Sequence, residues 1–181
     1  MATVNLLPNA DISNNMSYST GSDAYALLND DYSGSIGSDS NYMSTTSSGK
    51  STGVGFQDFS ESASSIDGVQ IVARVANASR GATYTVEMTM ENNIETLYAG
   101  ESSGSLNASG VYRTVTFTNR TTSGGSANDA WTESDVNNLK VSLRVTALSG
   151  GTLQNTYCYA IITYTEAATP SDNSIFFGTN F

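Results

Sequence analysis

The stretch from Leu139 to Ala147 places Leu139, Val141, Leu143, Val145 and Ala147 at alternate positions, with Lys140, Ser142, Arg144 and Thr146 between them. A period of two has a structural meaning only in an extended chain, whose successive side chains point to opposite faces. Such a strand buries one face and wets the other, which is the habit of antiparallel sheets packed on a core. The pattern recurs along the chain. Tyr84, Val86, Met88 and Met90 alternate with Thr85, Glu87 and Thr89; Val115 and Phe117 alternate with Thr114, Thr116 and Thr118; Val69, Ile71, Ala73 and Val75 are separated by Gln70 and Arg74 on the other face. Tyr157 to Thr165 is apolar on both faces, which predicts a central strand or one covered by a partner. Shorter strands are predicted over 41–46 and 54–59.

Between these runs lie clusters of turn-forming residues, Asn77 to Gly81, Gly100 to Gly110, Thr121 to Asn128 and Ser149 to Gly151. Short alternating strands punctuated in this way predict an all-β sandwich or barrel, and the lack of long helical periods removes βαβ architectures. One helical turn is predicted over Thr132 to Asn137, where Thr132 can cap and Asp135 stands three residues on. With 181 residues the chain suits one domain that buries about two-thirds of its unfolded surface. Residues 1–23 read as an extended N-terminal segment, 24–166 as the sandwich, and 167–181 as a linker and apolar tail.

Composition narrows the chemistry. The chain has no His and a single Cys, so it holds no Ser/His or Cys/His nucleophile pair, no imidazole metal site and no intrachain disulfide. A net charge of -10 opposes nucleic-acid binding, whose affinity comes from cations displacing counterions. No apolar run is long enough to cross a membrane as a helix, and Met1 to Ala10 lacks the basic start and apolar run of a secretory signal, so synthesis in a cytoplasm is expected. Roughly a third of the residues are Ser, Thr and Asn, the residues of hydroxyl-rich β surfaces and turns.

Each candidate site has two readings. Asp30, Asp31 and Asp39, with Asn29 and Asn41, are oxygen donors of the kind calcium needs, but they lack an EF-hand spacing and equally well cap turns. No metal or cofactor is expected. Glu87 and Glu91 fall on one strand face about 13 Å apart, too far for a retaining glycosidase pair, so no catalytic residues are expected. Trp131 either plugs one end of the core or stacks on a sugar. Cys158 reads as a buried small apolar residue. Tyr157 and Tyr159 share one face of their strand, a candidate subunit interface or a face covered by the N-terminal segment. The apolar ends, with Leu6 and Leu7 at one and Ile175, Phe176, Phe177 and Phe181 at the other, need a partner surface.

Asp30-Asp31, Asp39 to Met43, Val54 to Phe59, the strand around Ile71 to Val75 and, above all, the run Asn128 to Val145 with its Trp131-Thr132 resemble structural proteins of bacteriophage virions. That group consists of jelly-roll sandwiches in capsid decoration (cement) proteins and in head or tail fibres. The resemblance implies a jelly roll of about eight strands and a non-enzymatic virion protein, a cement protein that binds and stabilises the capsid as a homotrimer. The other function it admits is a tail-fibre or surface module that binds a carbohydrate receptor.

Overall fold

The computed structural model describes residues 1–29, 40–77, 79, 81–107 and 110–168. Its elements in chain order are β1 (Ala2–Leu6), β2 (Pro8–Asn14), β3 (Ser17–Tyr18), α1 (Ala24–Leu28), β4 (Met43–Thr45), β5 (Ser51–Phe56), β6 (Ala63–Asn77), β7 (Thr83–Glu91), β8 (Thr96–Ser102), β9 (Leu106–Asn107), β10 (Arg113–Thr116), α2 (Glu133–Asn137), β11 (Lys140–Leu148) and β12 (Leu153–Glu166). They form two six-stranded antiparallel sheets. Sheet A runs β10-β6-β12-β4-β3 with β1 on the far end of β12, and sheet B runs β2-β5-β11-β7-β8 with β9 on the far end of β7. The protein is an antiparallel β-sandwich of jelly-roll type. The extra strands beyond about eight are short pieces, such as β3 and β9 with two residues each.

The alternating runs are the core strands. Tyr84, Val86, Met88 and Met90 of β7 and Val141, Leu143 and Val145 of β11 face inward and are buried, with their polar neighbours outward. Val69, Ile71, Ala73 and Val75 do the same from β6, opposite Cys158, Ala160 and Ile162 of β12. β6 and β12 pair from Asn77 with Leu153 to Ala63 with Glu166, so the doubly apolar strand is central, between β6 on one side and β4 and β1 on the other. Burial of both its faces from Asn155 to Ala160 follows from that place.

The N-terminal segment is built into both sheets. β1 pairs with β12 in sheet A, β2 pairs with β5 in sheet B, and the chain crosses between them at Leu7. Pro8 opens an edge strand, where its missing N–H costs no ladder bond, and two register shifts in β2 break the regularity of that edge. Leu6, expected at an interface, is instead a core residue at 4% exposure, because the alternation along β1 turns it toward the opposite sheet. The boundary at residue 23 thus separates strands that share the same two sheets.

The predicted turn over Thr132 to Asn137 is α2. Thr132 caps it, accepting from the Asp135 N–H while the Asp135 carboxylate accepts from the Thr132 N–H, a reciprocal capping box. Helix α1 was outside the sequence reading. Its own N-cap Asp23 makes no capping bond; the Asp11 carboxylate on β2 accepts from the Ala24 and Tyr25 N–H groups instead, at 2.9 and 2.6 Å.

Candidate functional site

Trp131 lies at one end of the sandwich, directly before α2. It is 4% exposed, and its Nε1–H donates to the Arg120 carbonyl at 2.8 Å. That carbonyl also accepts from Val69 N–H, so the indole locks the segment after β10 onto β6. Trp131 is therefore a core plug, and only a 4% exposed remnant of it lines the adjoining cleft. Arg120 completes the fastening. Its guanidinium lies 4.4 Å from the Tyr98 ring centroid and pairs with Glu101 at 2.5 Å, joining β8 of sheet B to the same segment. Partial burial pushes the Glu101 carboxyl up, but hydrogen bonds from Thr118 and the Arg120 charge outweigh it and hold the group below the ordinary carboxylate range. A carboxyl held ionised in this way is the opposite of a general acid. Gly124, at φ +68°, lets the following loop pass against β8 where a side chain would meet the Leu97 carbonyl at 2.5 Å.

Cys158 is fully buried in β12, and burial pushes its thiol up to about 12. It is a packing residue. Glu87 and Glu91 stand on the outer face of β7, beside Arg144 and Lys140 of β11. Among the described residues no three His, Cys, Asp or Glu side chains gather as a metal site. Asp30, Asp31 and Asp39 lie outside the described residues, as do Ile175, Phe176, Phe177 and Phe181.

Tyr157 and Tyr159 occupy the outer face of sheet A, with Arg74 and Val72 of β6 opposite them in register and Leu7 and Ile161 alongside. Their ring centroids are 5.6 Å apart, and the Tyr157 hydroxyl bonds Thr114 on β10 at 3.2 Å. At the rim, Arg74 lies over the Tyr112 ring, whose hydroxyl donates to Gln154 Oε1 at 2.7 Å. This second apolar cluster lies outside the core, and the two tyrosines are only 3% and 4% exposed within the single chain. They have almost no area left to give to a second copy or to a ligand. Leu7 is partly buried against them.

Three open clefts mark the surface of the sandwich. One of about 240 Å³ is lined by hydroxyls and amides from β3 and β4, among them Asn15, Ser17, Ser44, Thr45 and Ser47. One of about 180 Å³ lies beside the Trp131 end between Phe59, Ser64, Ser65 and Glu133. The third, of about 240 Å³, lies on sheet B where the edge strand β2 pairs with β5 and the loop before β8 approaches the C-terminal end of α2. Its floor is Gly55, directly opposite Lys140 on β11; its apolar wall is Ile12, 40% exposed, with Ala10. Its polar wall is Asn9, Asp58, Asn93, Asn137 and Asn138. Sequence reasoning missed this third cleft because its residues come from four separate stretches and each Asn reads alone as a turn former.

No protein-family model matches the sequence, and no curated protein matches it. Solved structures align with most of the chain at low identity. The CBM36-1 domain of a multidomain xylanase from the hindgut metagenome of Trinervitermes trinervoides is 14% identical, over 92% of this chain and 100% of that one, with a TM-score of 0.43. The xylan-binding module CBM15 is 13% identical, over 92% and 99%, with a TM-score of 0.43. The C-terminal CBM6 of LamC, a marine laminarinase from Zobellia galactanivorans, is 16% identical, over 90% and 99%, with a TM-score of 0.40. Each is a distant likeness at low identity and says nothing of which residues of this chain meet a ligand.

Proposed function

We propose that this protein is a non-catalytic recognition module whose ligand is a carbohydrate. The observation that carries the reading is the chemistry of its clefts: the one beside β3 and β4 is lined mainly by Ser, Thr and Asn, and the one over Gly55 carries four Asn side chains beside an apolar wall, both held on a rigid sandwich. A sugar hydroxyl is at once donor and acceptor, and hydroxyl and amide side chains answer both roles without charge. The net charge of -10 favours a neutral glycan over a polyanionic one. A cement protein held through apolar faces gains no such support, since Leu6, Tyr157 and Tyr159 are already consumed within one chain.

The resemblance to virion proteins supports a place on a phage particle, as a surface or fibre module that meets host glycans. A glycan array followed by isothermal titration against neutral oligosaccharides tests the function. Saturable heat at one site per chain supports it; no binding to any neutral glycan at millimolar concentration overturns it. Electron cryomicroscopy of the particle tests the location separately.

A further inference from the structure

Resting on that reading, the geometry points to the cleft over Gly55 as the carbohydrate site, with Asn9, Asp58, Asn93, Asn137 and Lys140 as its hydrogen-bonding groups and a neutral sugar as its ligand. The three clefts differ in how much of their polar chemistry is already used. In the hydroxyl cleft, Asn15 accepts from Ser51 N–H, and the Thr45 hydroxyl both donates to the Ser47 carbonyl and accepts from its N–H. The cleft over Gly55 differs in carrying an ammonium and a carboxylate together with its amides. Asn9, Asp58 and Lys140 make no side-chain hydrogen bond or ion pair among the described residues.

The bonds that do exist there fix which end of each amide is left over. Asn137 Oδ1 accepts from Phe59 N–H at 2.7 Å, so its Nδ2 hydrogens remain. Asn93 Nδ2 donates to Asn138 Oδ1, and Asn138 Nδ2 donates to the Ser134 carbonyl at 2.8 Å, so the Asn93 Oδ1 remains. Free donors (Asn137 Nδ2, Lys140 Nζ) therefore stand with free acceptors (Asn93 Oδ1, the Asp58 carboxylate), and Asn9 supplies one of each. Hydroxyls that each give and take one hydrogen bond match this alternation. The single ammonium is set against the Asp58 carboxylate in the lining and Glu91 in register on β7, which leaves no excess cation for a uronate or a sulfated sugar and favours a neutral ring. Ile12 and Ala10 supply the apolar wall for a sugar's C–H face.

Gly55 is the floor because a methyl there would stand up into the cleft. It would meet only Ile12 Cδ1 at 3.6 Å and Ala10 Cβ at 3.8 Å, ordinary contacts that the sheet tolerates. Two variants follow. The triple Asn9→Ala, Asp58→Ala, Lys140→Met removes groups that hold nothing in the fold, and Gly55→Ala fills the floor while keeping every polar group.

Both are titrated with the neutral oligosaccharides that the wild type binds in the glycan array, with circular dichroism melts alongside. The inference expects melts close to wild type and affinity weaker by about tenfold or more in the triple variant, since each hydrogen bond to a charged group is worth about that factor. Gly55→Ala should weaken binding while leaving the polar groups in place. Wild-type affinity in both variants overturns this site and leaves the carbohydrate reading standing. A wild-type protein that binds none of the neutral glycans overturns the reading and the site together.

Discussion

Replacing Trp131 with Ala removes the largest side chain at that end of the sandwich and the only Trp in the chain. Loss of a buried Phe or Trp in a core costs about 3 to 5 kcal/mol. The lost Nε1–H bond adds little, because the Arg120 carbonyl keeps its bond from Val69 N–H. The neighbouring cleft beside Ser64 and Glu133 lets the site relax or fill with water, which pulls the expected cost toward the lower half, about 3 to 4 kcal/mol. For a domain of this size, each kcal/mol lowers Tm by about 2 to 4 °C, so calorimetry should show a fall of about 6 to 16 °C. Urea unfolding should give the same loss with an unchanged m-value. Trp131→Phe keeps most of the ring and loses the donor, and should cost about 1 to 2 kcal/mol. Glycan affinity measured well below the melting point should not change. A Tm within about 2 °C of wild type for the Ala variant would refute the plug, since a buried indole cannot leave without that cost. Equal losses for Ala and Phe would mean that the hydrogen bond, and not the packing, holds this end together.

Three further outcomes follow. Glu101 is held ionised below the ordinary carboxylate range, so its share of stability is complete above the unfolded carboxylate pKa and disappears as pH falls through the lower folded value; Glu101→Gln should flatten acid unfolding in that window, and an unchanged pH profile would contradict the pairing with Arg120 and Thr118. With its thiol at about 12 and fully buried, Cys158 should resist Ellman's reagent at pH 8 in the native protein and react fully in guanidinium; stoichiometric native labelling would contradict its burial. Thr132→Ala should cost about 1 kcal/mol in chemical denaturation through the broken capping box, and a neutral result would show that α2 is held by Val136 packing alone.

What could be read directly from the sequence was whatever a short window decides. The strands β6, β7 and β11 and the α2 cap are local patterns, and Tyr157 and Tyr159 share a face because a strand has a period of two. Strand β8 was hidden in a turn-like stretch. It pairs with β7 across two irregularities and buries only Leu97, so it never repeats its pattern. Helix α1 is held by Asp11, thirteen residues earlier on β2, and a cap supplied from a distance leaves no local signature. Leu6 and Leu7 look equally sticky in sequence; only the pairing of β1 with β12 turns one into the core and leaves the other against the outer tyrosines. The cleft over Gly55 was the least legible feature, because the fold alone brings Asn9, Asp58, Asn93 and Lys140 together.

The most direct test of the central claim is a two-dimensional NMR titration that follows backbone and side-chain amides as a neutral oligosaccharide is added. The account predicts saturable shifts of the Asn9, Asn93 and Asn137 side-chain amides and of the Gly55 and Lys140 backbone, with the Tyr157 and Tyr159 backbone unmoved. Shifts confined to the outer face of sheet A around Tyr112 and Gln154, or no shifts with any neutral glycan, would contradict it.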